Sequence, residues 1–203
     1  TRPEEGIYGD FHLALSPDGE KLAFSRCSVG ERGHIFAQSL YDSEPKQLTS
    51  EELNINSLAW TPDSRDIIYS HSGTNLQYTS SHGLWRIPAT GGTPQPVIQG
   101  TQHAQNPAIS INGNLLAYCL GPVRASAFYK ITLQNLTENL SAKKVELLAK
   151  SENSGDISPN GKKIAFRSDR YWTEEILTSD LDGNDIQQVT PENDTLRGKG
   201  SPR

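Results

Sequence analysis

Ser16-Pro17-Asp18-Gly19-Glu20-Lys21-Leu22-Ala23-Phe24 spells a turn followed by a strand, and the chain repeats it three more times. The later copies are Thr61-Pro62-Asp63-Ser64-Arg65-Asp66-Ile67-Ile68-Tyr69, Ser110-Ile111-Asn112-Gly113-Asn114-Leu115-Leu116-Ala117-Tyr118 and Ser158-Pro159-Asn160-Gly161-Lys162-Lys163-Ile164-Ala165-Phe166. They align without gaps at spacings of 45, 49 and 48 residues. Pro presets φ at the second position of a turn, Asp or Asn tolerates the next, and Gly supplies positive φ cheaply. Alternation after the turn puts Leu22 with Phe24, Ile67 with Tyr69, Leu116 with Tyr118 and Ile164 with Phe166 on one strand face each. Even recurrence of this kind is the mark of a repeat architecture.

Working outward, each turn is preceded by a short strand ending in Leu15, Trp60, Ile109 or Ile157. Ala14, Ala59, Ala108 and Asp156 stand just before those ends, where small residues suit a strand crowded toward a central axis. A third strand follows around Ile35-Phe36, Leu84-Trp85, Phe128-Tyr129 and Ile176-Leu177, and a fourth at Gln47-Leu48-Thr49, Pro96-Val97-Ile98, Glu146-Leu147-Leu148 and Gln188-Val189-Thr190. Four strands per roughly 45 residues describe the blade of a β-propeller. A β-sandwich gives no reason for one turn to recur at this interval, and no 3.6-residue apolar period supports a helical solenoid. The stretch 140–151 reads as a loop plus an outer strand rather than a helix.

The expected fold is therefore all-β, a β-propeller fragment with four four-stranded antiparallel blades and the first strand of a fifth. The blades cover about 8–50, 53–99, 103–149 and 152–190, and 194–203 is expected to start the fifth. Four blades with a fifth begun imply a ring of more than four and a longer parent polypeptide. An open ring leaves edges and apolar faces uncovered and favours association of the isolated piece.

Composition narrows the function. No window nears the roughly 18 apolar residues of a membrane-spanning helix, so no span is expected in this segment. A net charge of −5 without a dense Lys/Arg cluster argues against direct nucleic-acid binding. Cys27 and Cys119 lie 92 residues apart in no CxxC or Cys/His cluster, which argues against a zinc site. They read as packed strand thiols, with a disulfide between them as the alternative. His12, His34, His71, His82 and His103 are scattered over different units. The acidic run Asp180-Leu181-Asp182-Gly183-Asn184-Asp185 lacks the spacing of a calcium loop and reads as a hairpin turn. Sequons occur at Asn135, Asn139 and Asn193. Motifs for a nucleophile elbow, zinc protease, P-loop or dinucleotide fold are missing, so no catalytic, cofactor or metal residue is assigned.

Ring geometry points to one binding surface. The first strands of all blades start at one mouth of the central channel. Aligned on the turn, the polar positions there are His12, Ser57, Asn106 and Ser154, preceded by Phe11, Asn56, Gln105 and Asn153. His12, Asn56, Ser57, Gln105, Asn106 and Asn153 form the candidate site. Such amides, with an imidazole, suit a protein or peptide partner or a small polar ligand. The alternative is that they bond neighbouring blades and channel water.

The repeats resemble the TolB-type, WD-repeat-like propeller family, in which a Ser-Pro-Asp-Gly turn precedes an Ile/Leu-Ala-aromatic strand. Segments 16–24 and 158–166 match closely; Ser64 replaces the Gly and Ile111 the Pro in the other two. Residues 55–65, Leu84-Trp85-Arg86-Ile87-Pro88 and Lys199-Gly200-Ser201-Pro202-Arg203 look like the propeller half of bacterial regulators that carry a winged-helix or serine/threonine kinase domain. That resemblance implies a non-catalytic interaction or sensor ring of a regulatory protein. The family also implies two alternatives, a periplasmic docking ring of the cell envelope and the non-catalytic ring of a prolyl-oligopeptidase-like peptidase. The compartment, periplasmic or cytoplasmic in a bacterium, depends on the flanking domains.

Overall fold

The computed structural model describes residues 7–28, 32–41, 44–72, 83–98, 104–120, 127–132, 146–150, 152–168 and 175–190. Among these residues the first sheet contains β1 (Ile7–Leu15), β2 (Lys21–Ser28), β3 (Gly33–Ser39) and β4 (Lys46–Gln47). The second contains β5 (Asn54–Trp60), β6 (Asp66–Ser72), β7 (Gly83–Pro88) and β8 (Gln95–Ile98). The third contains β9 (Gln105–Ile109), β10 (Leu115–Leu120), β11 (Ala127–Thr132) and β12 (Glu146–Lys150). The fourth contains β13 (Glu152–Ile157), β14 (Lys163–Ser168), β15 (Glu175–Asp180) and β16 (Gln187–Gln188). Each sheet is an antiparallel meander in chain order. The first strands β1, β5, β9 and β13 touch one another in succession, which is the radial layout of propeller blades. The fifth-blade strand expected over 194–203 lies outside the described residues.

The repeated turn owes its shape to one hydroxyl. Ser16 Oγ donates to Asp18 Oδ1 at 2.5 Å and accepts the Lys21 N–H at 2.8 Å, while Asp18 Oδ1 also accepts the Glu20 N–H. Thr61 with Asp63, Ser110 with Asn112 and Ser158 with Asn160 make the same bonds. Gly19, Gly113 and Gly161 take φ of 74°, 70° and 65° at the turn, and Ser64 takes 57° in the blade that lacks the glycine. Ser64 repays that strain across the blade boundary, because its Oγ accepts the Asp18 N–H at 3.1 Å. The acidic run at 180–185 is a hairpin turn as well: Asp180 Oδ1 accepts the Asp182 and Asn184 N–H groups, and Gly183 has φ 75°.

Two outer strands are shorter than the sequence suggests. In β4 and β16 the ladder is finished by Thr49 and Thr190, whose Oγ1 atoms accept the Ile35 and Ile176 N–H groups in place of a main-chain carbonyl. Gln47 and Gln188 each donate through Nε2 to the carbonyl of that threonine.

Every core lies between two sheets. Ala23, Ile35 and Ala37 pack against Trp60, Ile67 and Tyr69; Ile68 and Leu84 against Leu116, Tyr118 and Ile131; Ala117 and Cys119 against Ile164 and Phe166. Cys27 and Cys119 are buried in different blades, and no disulfide joins them. Polar seams join the same boundaries. Trp60 Nε1 donates to the Ala14 carbonyl at 2.8 Å, and Gly33 and Leu53 exchange two main-chain bonds. Gly33 is required there, since a Cβ would stand 1.9 Å from the Arg26 carbonyl oxygen. Between blades three and four, Lys130 Nζ reaches the Leu181 carbonyl and, at 2.7 Å, Asp182 Oδ1. By contrast Leu13 and Leu15, at 65% and 58% exposure, hold the positions that in later blades pack on the preceding sheet.

Two predictions follow from the turns. Ser110 is buried and Ser158 is not fully so; Ser110→Ala should cost about 1–3 kcal/mol in denaturant unfolding and Ser158→Ala visibly less, since only the first strands an N–H away from water. The hydroxyls of Ser16 and Thr61, and then the Glu20 and Arg65 N–H groups, hold the Asp18 and Asp63 carboxyls below their usual value near 3.8. Carboxyls lowered by folding stabilise the fold above the unfolded pKa, and that contribution is lost as pH falls through the folded value. Against a D18N/D63N double variant, which keeps the amide oxygen as Asn112 and Asn160 do, the stability difference should be constant above about pH 5 and shift in favour of the variant below about pH 4.

Candidate functional site

The first strand of every blade carries a β-bulge three to five residues before its turn. In β1, Phe11 pairs with Ser25 and Ala14 with Ala23, so His12 and Leu13 share one partner. In β9, Gln105 pairs with Cys119 and Ala108 with Ala117, so Asn106 and Pro107 share one partner. In β5 the extra residue is Asn56, between Ile55 and Ser57; in β13 it is Ser154, between Asn153 and Gly155. Bulges bend the strand and re-aim a side chain. His12 and Asn106, equivalent when counted from the turn, have φ of 52° and 53°. His and Asn are among the residues that enter this region most readily.

These bulges fall on the residues singled out from the sequence. His12 is exposed, with Nδ1 3.0 Å from Ser25 Oγ; partial desolvation of the ring lowers its pKa. Ser25 Oγ in turn donates to the Phe11 carbonyl at 3.2 Å. Asn56, Gln105 and Asn106 are half-buried. Ser57 lies 2.6 Å from Ser70 through their hydroxyls, and its Oγ accepts the Asn106 N–H at 2.9 Å from the next blade. Asn153 pairs with Arg167 in the ladder, and its side chain lies outside the described residues. Ser57 and Asn106 are thus joined directly, across the boundary of blades two and three. They serve the assembly of the ring as well as any surface, which is what the second reading of these positions requires.

The bulges themselves are not legible in the repeat spacing, because each blade carries one and every turn-to-turn interval is lengthened alike. The signal available was Asn106 and His12 at one aligned position, two residue types suited to left-handed backbone. The ion pair of Arg86 with Asp66 (2.7 Å) and that of Lys130 with Asp182 also carried no sequence pattern. Among the described residues, no helix is long and apolar enough to cross a membrane.

No protein-family model and no curated protein matches this sequence. Solved structures do match in three dimensions. A protein described as TolB from Agrobacterium tumefaciens superposes with a TM-score of 0.71 at 20% identity, over 90% of this chain and 62% of that one. TolB from Acinetobacter baumannii gives 0.70 at 17%, over 89% and 42%. A prolyl endopeptidase gives 0.60 at 13%, over 91% of this chain and 29% of that one. At these identities the likeness defines the fold, a β-propeller of the TolB type. The chain spans less than two thirds of each of these structures.

Ser57→Ala removes the acceptor of the Asn106 N–H. It should cost about 1–2 kcal/mol of stability and speed hydrogen exchange at the Asn106 amide, leaving the Lys21 amide of blade one protected as before.

Proposed function

We propose that the chain is a non-catalytic interaction ring of a larger bacterial regulatory protein, docking a protein or peptide at the mouth formed by its bulged inner strands. The observation that carries this reading is the recurrence of the bulge. A strand whose only task is to pack needs no extra residue within the same few positions of four blades, and at each bulge a polar residue, His12, Asn56, Asn106 or Ser154, falls outside the ladder pairing. Amides, hydroxyls and an imidazole at that rim offer both donors and acceptors to a peptide backbone. The sequence resemblance to the ring half of winged-helix and kinase regulators supports the regulatory setting.

A docking ring of the cell envelope is favoured instead by the two TolB structures, and a ring attached to a peptidase by the prolyl endopeptidase. Release of a proline-containing peptide fragment by the full-length protein would replace the proposal with the last of these.

The test is Asn56→Ala combined with Asn106→Gly in the full-length protein, glycine being chosen because position 106 has positive φ. Loss of regulatory output, read as reporter transcription or kinase activity, is expected at an unchanged melting temperature. Output that merely follows the folded fraction would overturn the proposal.

A further inference from the structure

Beside the start of β5, blades one and two flank an open cavity of about 470 Å³. Tyr69 and His71 of β6, 1% and 8% exposed, line its base, and the half-buried Trp85, which pairs with Tyr69 in the ladder, lines it from β7. Ring centroids lie 5.9 Å apart from Tyr69 to His71 and 5.9 Å from His71 to Trp85, so the three rings form one aromatic row with Trp85 as its accessible member. Pro94 lines the cavity from the loop between β7 and β8, and Glu51 from the link that joins the blades. Glu51 is exposed and makes no ion pair among the described residues. Lys46, whose stem runs beside Gly91 in the neighbouring loop, makes none with it. Burial and then the Glu51 charge raise the pKa of the Tyr69 phenol, so the carboxylate's field reaches the aromatic row.

We propose that this cavity binds a guanidinium group, stacked on Trp85, the one half-buried ring of the row, and paired with Glu51. A cation is attracted to the face of an indole or phenol, more strongly where water is excluded. Guanidinium adds a flat surface to lie on the indole ring and a fork of donors for the carboxylate, which an ammonium lacks. The volume falls within the range of small-ligand pockets, roughly 300–1,000 Å³. Two sources present this chemistry, a free arginine-like molecule and an arginine side chain of a bound protein. The inference goes beyond the reading of the channel mouth and shares no residue with it.

Titrating the 203-residue chain with N-acetyl-arginine amide, and separately with an arginine-bearing peptide, tests the site through the indole N–H resonance of Trp85. Saturation in the millimolar range is expected. The neutral citrulline analogue should leave the resonance in place, and Glu51→Gln, a change at an exposed rim, should weaken binding about tenfold. Saturation by the amide alone identifies a free ligand; saturation only by the peptide identifies a partner's side chain; either supports the proposal. A shift as large with citrulline or with glucose, an unchanged affinity in Glu51→Gln, or no response to either arginine probe would overturn it. The Asn56→Ala/Asn106→Gly variant should bind the probe as the parent does, so failure here and failure at the mouth are told apart.

Discussion

A four-stranded sheet has two faces and no interior of its own, so in this chain Ile67 and Tyr69 leave water only because Ala23, Ile35 and Ala37 of the preceding sheet lie against them. The same holds for Leu116 and Tyr118 over Ile68, and for Ile164 and Phe166 over Ala117. Hydrophobic burial is thus a property of neighbouring pairs of blades, as in other repeat proteins. Alanines face bulky residues of the next sheet between blades one and two (Ala23, Ala37) and between three and four (Ala117), whereas large residues meet from both sides between two and three. The polar bonds at the same boundaries set the angle and register, with Trp60 to Ala14, Ser64 to Asp18 and Asn106 to Ser57 each tying one blade to the next.

Within that frame the turn and the bulge divide the work of each hairpin. The turn hydroxyl fixes where the first strand ends and the second begins, so the apolar faces of the second strand come out in phase with the neighbouring sheet. The bulge, three to five residues earlier, breaks that phase for the rest of the first strand. The bulge residues themselves are therefore released from the packing pattern and can be polar, while beyond the bulge of β5 Ile55 returns to the core. This explains why His12, Asn56 and Asn106 sit where a strict period of two would not have placed them.

The fold was legible because its decisive residues act locally. Ser16, Thr61, Ser110 and Ser158 each close a turn with atoms no more than five residues away, and such bonds leave a pattern in the sequence. The third and fourth strands were legible from alternation, apart from their ends, where Thr49 and Thr190 replace main-chain acceptors with side-chain oxygens. The site was legible only as a set of aligned positions. What His12 or Ser57 touches depends on a residue on another strand or in another blade, Ser25 for the one and Asn106 for the other, and no local rule encodes those partners. The cavity of Tyr69, His71 and Trp85 was hidden for the same reason. Its three rings read as ordinary strand residues until the register of β6 with β7 brings them into one row.

The end faces complete this account of pairwise burial. Leu13 and Leu15 on blade one match Leu58 and Trp60 on blade two by position, yet the former pair is exposed and the latter packs into a core. On blade four, Ala165 is exposed where its equivalents Ala23 and Ala117 are fully buried. The side chains are apolar in both settings; among the described residues, what differs is an adjoining sheet. Burying a leucine is worth about 1.5–3 kcal/mol, so these two faces hold an uncollected share of stability of the same sort that fastens the blades together.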